Sequence, residues 1–334
     1  MFSQEDCAKK LKRAREFYAE GNIEMMQNLL SGCLEEGFTR EEKVEARKLL
    51  VLASLFDDDL DQADIQMEEF LKLEPEYQVK KGKDQIEFIK LYETFRTTPT
   101  FSIGLRGGGN YSMVVDHSNV NVYSDINSTS SYKEKFGFFI GAKIKKQFNK
   151  HLALDFSANF STLRFQLNGE FYDNEMKQVA IETQNWFQAP VSFSYMFLKG
   201  RLQPYLGVGA SFGYLFSANA SYDLSYDDNA KRPLASSSSV VNLTQNGMRE
   251  RVNYWYNLST GFVFKIPKSY ISLDISYQYN PKKHSVADAR YSNSLTYFET
   301  LYLDDDFYLD NISVGVSYLY CFYNPKKKRQ KSGK

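Results

Sequence analysis

Residues 187–216, FQAPVSFSYMFLKGRLQPYLGVGASFGYLF, constrain the fold more than any other stretch of the chain. They hold two runs of strict alternation joined by the turn pair Lys199-Gly200. In the first run Ala189, Val191, Phe193, Tyr195 and Phe197 share one face, while Gln188, Pro190, Ser192 and Ser194 share the other. In the second, Pro204, Leu206, Val208, Ala210, Phe212, Tyr214 and Phe216 lie opposite Tyr205, Gly207, Gly209, Ser211 and Gly213. Period-two alternation well beyond the usual length of about five or six residues marks a transmembrane β-hairpin. The glycine- and serine-rich face is too small for a dry core and suits the crowded lumen of a narrow barrel.

The same pattern recurs from residue 100 to residue 323 and predicts eight antiparallel strands closing as a transmembrane β-barrel. Apolar faces start at Phe101, Phe136, Leu152, Val252, Ile271 and Ile312, besides the two of the opening hairpin. A slip in phase near Ser161-Thr162 predicts a bulge in the third strand. No run of about 18 apolar residues exists, so a transmembrane helix is excluded while a barrel is not. The 24 Tyr and 26 Phe cluster after residue 100, as interfacial girdles require. Connections after the second, fourth and sixth strands are short; those near 114–133, 168–179, 220–250 and 284–306 are long and polar. Short periplasmic turns and long external loops place both chain ends in the periplasm. The opening Met1-Phe2-Ser3-Gln4 reads as the last residues of a secretory signal before a mature end at Gln4.

Residues 4–97 carry helical periodicity instead, and Thr97-Thr98-Pro99-Thr100 marks the boundary. Cys7, Leu11, Ala14 and Tyr18 form one apolar stripe; Ile23, Met26, Leu30 and Cys33 form the next, after a break at Gly21-Asn22. Further helices are expected over Glu41–Phe56, Leu60–Leu73 and Asp84–Phe95. In an antiparallel pair turning near Gly21-Asn22, Cys7 and Cys33 lie at nearly equal distances from the turn. An oxidising periplasm then favours a disulfide between them. Residues 324–334, rich in lysine, read as a disordered basic tail.

Ile23, Met26, Leu30 and Leu34 repeat as Leu60, Ala63, Met67 and Leu71, each 37 positions on. LFDDDLDQADIQMEEFLKLEP resembles the second half of a tetratricopeptide repeat, with Ala63 at the tight helix crossing and Pro75 closing it. Residues 4–97 are therefore expected to form a tetratricopeptide-like module of two repeats and a capping helix. The 187–216 hairpin and the closing strand Asp310-Asn311-Ile312-Ser313-Val314-Gly315-Val316-Ser317-Tyr318 resemble the small PorT-like outer-membrane barrels of Bacteroidota. That resemblance implies an outer-membrane location and, for some members, a link to type IX secretion.

The candidate chemistry is sparse. Gly104 to Gly109 lacks the Lys-Ser/Thr and the helix of a phosphate loop, and barrel-strand glycines account for it. Asp57, Asp59, Asp61 and Glu68 have calcium-loop spacing, but Gln62 stands where glycine is needed; helix capping accounts for the aspartates. His117, His151 and His284 are isolated, so no metal site is expected. Arg106, Asn110, Lys143, Lys145, Asp155, Asn159, Asn253, Asp274 and Gln278 are expected in the lumen, paired as a polar plug rather than lining a pore. With zero net charge nothing points to nucleic acid, and no cofactor is implied. The expected function is a non-enzymatic outer-membrane anchor, in contact with lipid, whose periplasmic module docks other envelope proteins. A barrel binding ligands through its outer loops is the first alternative, and an enzyme of the outer leaflet the second.

Overall fold

The computed structural model describes residues 4–80, 82–118, 120, 129–171, 176–198, 200–226, 237–293 and 303–328. The chain divides into two compact units, residues 1–100 with 322–334, and residues 101–321.

The first unit has five helices: α1 (Gln4–Ala19), α2 (Ile23–Glu35), α3 (Arg40–Phe56), α4 (Leu60–Leu73) and α5 (Ile86–Thr94). Each start has a local cause. Asn22 accepts from the Met25 N–H, Thr39 and Glu42 form a capping box, and Asp59 accepts from the Gln62 N–H at 3.0 Å. The acidic run at Asp57–Asp59 is thus a helix-to-helix turn. Two cores form. One joins α1, α2 and α3 through Leu11, Ala14, Met26, Leu30, Ala46 and Leu50. The other joins α3, α4 and α5 through Val51, Met67, Phe70, Phe88 and Phe95. Cys7 and Cys33 are disulfide-bonded, with Cα atoms 5.8 Å apart. Gly37, at φ +125°, lies against this bridge: a Cβ there would come within 2.6 Å of the Cys7 Sγ.

The segment between α4 and α5 is not helical, yet it is fixed. Tyr77 packs edge-to-face on Phe70 and Phe88, and the Lys48 ammonium donates to the Tyr77 hydroxyl (3.0 Å) and to Asp84. Burial pushes the Asp84 carboxyl up, but Lys48, the Lys80 backbone N–H and Tyr77 outweigh it and hold the group below its usual value. The tail departs from the expectation of disorder. Its described residues pair with the end of α5: the Lys328 N–H donates to the Thr94 carbonyl (2.8 Å), the Arg96 N–H to the Lys326 carbonyl (3.1 Å), and Lys327 meets Asp64. Backbone pairing overrides the lysine-rich composition. Residues 329–334 lie outside the described residues.

The second unit is one antiparallel sheet closed on itself. Its strands are β1 (Phe101–Ser118), β2 (Thr129–Gln147), β3 (Leu152–Phe171), β4 (Met176–Met196), β5 (Leu202–Tyr226), β6 (Ser237–Asn242), β7 (Val252–Ile266), β8 (Ser269–Tyr279) and β9 (Asp306–Phe322). Their order, β4-β3-β2-β1-β9-β8-β7-β5 with β4 paired to β5, closes an eight-stranded ring, and β6 adds to the outer part of β5. β6, the one strand beyond the eight expected, lies inside what the sequence reads as the long 220–250 loop. β1 and β2 extend into the 114–133 connection from either side, and β3 and β4 into 168–179; residues 121–128, 172–175, 227–236 and 294–302 lie outside the described residues.

β1 to β5 run 18 to 25 residues, about twice what a tilted membrane crossing needs. The excess explains the polarity pattern. Near the short turns the barrel is apolar outside, with Leu105, Phe138, Ile140, Phe193, Val208, Phe212, Ile275 and Val316 exposed, and polar within. Towards the opposite, loop end the order inverts. Leu163, Phe165, Leu167, Ala218, Ala220 and Tyr222 turn inward, where Trp186, Trp255, Leu243, Met248, Phe307 and Leu309 complete a dry core. The polar plug expected from the sequence occupies the belt alone, and this dry core at the loop end was not expected.

The expected bulge in β3 is also corrected. β3 alternates without interruption past Ser161-Thr162. The irregularities fall on β2, opposite Leu163 between Lys135 and Phe138, and on β5 at Phe216, opposite Asn185 and Trp186. The slip in β3 is its apolar residues changing from the outer face to the inner one.

Candidate functional site

The barrel interior has two chemically distinct levels. In the belt, Arg106, Lys143, Lys145, Asp155, Asp274 and Gln278 all face inward, along with Asn110, Asn159 and Asn253. Residues i and i+2 on neighbouring strands bring them together. Lys143 and Lys145, on β2, approach one Asp155 oxygen at 3.4 and 3.6 Å. Arg106 reaches Asp274 at 3.4 Å and lies 4.8 Å above the Phe139 ring. Gln278 accepts from Asn311 at 3.0 Å. Three cations thus meet two carboxylates around a cavity of about 50 Å³, room for a few waters. Glycines permit the tight wall: a Cβ on Gly209 would sit 2.0 Å from the Val191 carbonyl oxygen.

Above this lies a second charged group that the sequence reading missed. Arg249, in the turn between β6 and β7, is wholly buried between Glu182 of β4 and Asp304 before β9. It donates to Glu182 at 2.6 and 2.7 Å and to both Asp304 oxygens, and its guanidinium lies 5.1 Å over Phe307. Burial alone would lower the Arg249 pKa; the charges of Asp304 and Glu182 more than reverse that and hold it well above its usual value. The neighbouring carboxylates have other tasks. Asp305 accepts from the Tyr132 hydroxyl (2.7 Å) and the Val120 N–H (2.8 Å), while Asp306 meets Lys283 and Arg290. The triplet Asp304–Asp306 therefore fastens the start of β9 to four other parts of the loop end.

His284 sits beneath, 1% exposed, between Trp186 (5.4 Å), Trp255 (5.8 Å) and Phe307 (6.0 Å). Neither ring nitrogen has a hydrogen-bond partner among the described residues. Burial, then the charges of Arg249 and Lys282, push its pKa down to about 3, so it packs as a neutral ring. His151 is elsewhere, at a short turn, bound to the Met196 carbonyl (2.8 Å); the side chain of His117 lies outside what the structure describes. The three do not converge. No signal in the sequence links Arg249, Glu182 and Asp304, which come from distant segments with unrelated spacing.

No curated protein matches the chain. Among solved structures it is similar to OprG from Pseudomonas aeruginosa, at 11% identity over 68% of this chain and 98% of that one, with a TM-score of 0.40. It is also similar to CarO from Acinetobacter baumannii (11% identity, 67% and 98% covered, TM-score 0.29) and to Neisserial surface protein A (13%, 64% and 95%, TM-score 0.30). Residues 93–299 match the sequence family described as outer membrane protein beta-barrel domain, a span that takes in β1 to β8 and their packed interior. With its outward apolar belt and closed ring of eight strands, the chain belongs to that outer-membrane β-barrel family.

Proposed function

We propose that the barrel is a non-enzymatic anchor in the outer membrane and that the helical unit is the working part, a periplasmic platform on which other envelope proteins dock. The observation that carries this reading is the occupied lumen. Among the described residues, a cavity of about 50 Å³ at one level and an aromatic core at the next fill the interior, which favours attachment as the barrel's contribution. The helical unit, by contrast, has cores of its own and exposes Met25, Phe56, Leu60 and Ile65. Its tetratricopeptide-like spacing favours peptide or subunit docking. Short turns on one end and long connections on the other favour a periplasmic position for both chain ends. A place in type IX secretion or gliding-type machinery rests on the PorT-like resemblance alone.

Deleting residues 4–97 tests the reading. The remaining barrel should insert and keep heat-modifiable migration, while partners copurified in mild detergent with the full chain are lost. A truncated barrel that retains every partner would overturn the docking role. It would favour the alternative of ligand binding by the outer loops, for which the rigid extension of β1–β5 beyond the belt is the supporting feature.

A further inference from the structure

We infer that Lys133, Lys135 and Arg164 form a binding site for a phosphate-bearing glycolipid in the outer leaflet. This rests on the proposed orientation, in which the loop end faces outward. Lys135 and Arg164 are direct partners across β2 and β3, and Lys133 lies opposite Gln166, the next outward residue of β3. Like charges directly opposite on one sheet face destabilise it unless something neutralises them. Among the described residues no carboxylate does so, for none of the three makes an ion pair. Glu134, between the two lysines in sequence, pairs with Phe165, whose side chain belongs to the interior core. Glu134 is itself exposed, yet it forms no ion pair with either lysine or with Arg164.

The patch's height identifies its partner. Lys135 adjoins Phe136, the last apolar side chain of the belt on β2, and Arg164 is four residues past Phe160, its counterpart on β3. Four residues of tilted strand rise by about 10 Å, which spans the zone just beyond the hydrocarbon where headgroups lie. The bulge between Lys135 and Phe138 is what aims Lys135 outward beside Phe136. A phosphate monoester, with nearly two negative charges and three acceptor oxygens, matches three neighbouring cations better than a singly charged phosphodiester does.

The test uses the full chain folded in detergent micelles and native mass spectrometry. The probes are a bis-phosphorylated disaccharide lipid, its dephosphorylated form and phosphatidylglycerol. The wild type should retain the phosphorylated glycolipid and not the dephosphorylated one. The triple variant K133Q/K135Q/R164Q should weaken retention by about fivefold per residue, or on the order of a hundredfold in all. Unchanged heat-modifiable migration would show that the variant is folded. Equal retention by variant and wild type, or phosphatidylglycerol held as tightly as the glycolipid, overturns the site. Orientation is read separately from Gln166→Cys, labelled with an impermeant maleimide on intact cells. Labelling only after lysis overturns the outer-leaflet assignment, whatever the micelle experiment gives.

Discussion

Replacing Val208 by arginine should destabilise the barrel by an amount set by depth alone. Val208 projects outward from β5, flanked by Phe193 of β4 and Leu258 of β7, both exposed on the same face. Outward apolar residues of β5 run from Leu202 to Phe216, so Val208 is near the middle of the belt. An arginine at the midplane costs about 2–4 kcal/mol, and at the interface about 0–1 kcal/mol. Tyr214→Arg should fall in the second range, and Asn219→Arg, beyond the belt, should cost almost nothing. Val208→Ala supplies the baseline for the lost methyl groups. Equilibrium urea unfolding in lipid vesicles measures the series, followed by tryptophan fluorescence. Both tryptophans, Trp186 and Trp255, are fully buried in the core at the loop end and report its collapse. A cost of about 3 kcal/mol is a factor of roughly a hundred in the folding equilibrium. A flat series, or an Asn219→Arg as costly as Val208→Arg, would refute the assignment of belt and extension.

Arg249→Met should cost about 3–5 kcal/mol, because Glu182 and Asp304 are left buried without their cation; near-UV circular dichroism of the tryptophan pair should fade first. Asp84→Asn should loosen residues 75–92 by roughly 1–3 kcal/mol, read as faster hydrogen exchange there. Because Asp84 is held below its unfolded value, its contribution is full above about pH 4 and disappears as pH falls through the folded value. The wild type should therefore lose protection in acid, and the Asn variant should not show that step. Replacing Cys7 and Cys33 together by serine should cost the helical unit about 3–4 kcal/mol on the chain-entropy estimate for a closed loop of this size, measured as a lower urea midpoint for exchange in α1 and α2.

The belt was legible because lipid imposes one rule over many residues. From Pro204 to Phe216 every outward position is apolar or aromatic, and each inward one is small or polar apart from Tyr205 and Leu215. The lumen residues follow from that phase with no further information. Arg106, Lys143, Asp155 and Asp274 needed only to fall on the inward face. The extension was not legible, because a strand whose interior is apolar alternates just as a lipid-facing one does. Period two tells which residues share a face and not which medium that face meets. The Arg249 cluster was hidden for another reason. Its members lie 55 and 67 residues apart in sequence, and their meeting depends on how the loop end packs. Residues 324–328 of the tail were misread from composition, since backbone hydrogen bonds to Thr94 and Arg96 do not depend on side-chain type.

The change of polarity between belt and extension is achieved in two ways, and this yields the last prediction. On β3 the sequence pattern itself slips, from Phe160 outward to Leu163 inward, and the strand stays regular. On β5 the pattern does not slip: even-numbered residues are apolar from Pro204 to Leu224. The inversion comes from one extra residue, Phe216, standing between Leu215, which pairs with Trp186, and Ser217, which pairs with Asn185. Phe216 and Ser217 then both project outward, and Ala218, Ala220, Tyr222 and Leu224 fall inside. Removing Phe216 should therefore leave a regular strand in which Leu215 and Ser217 keep their partners. The loss should be one lipid-exposed aromatic, at most about 2–3 kcal/mol. Removing Phe212, a residue of the same type four positions away, should be far worse. It turns one side of the strand over and moves Tyr214 into the place of Gly213, where even a Cβ would lie 2.6 Å from Trp255. Heat-modifiable migration and near-UV circular dichroism should show a folded barrel after deletion of Phe216 and none after deletion of Phe212. Equal behaviour of the two deletions would mean that the bulge does not set the inversion.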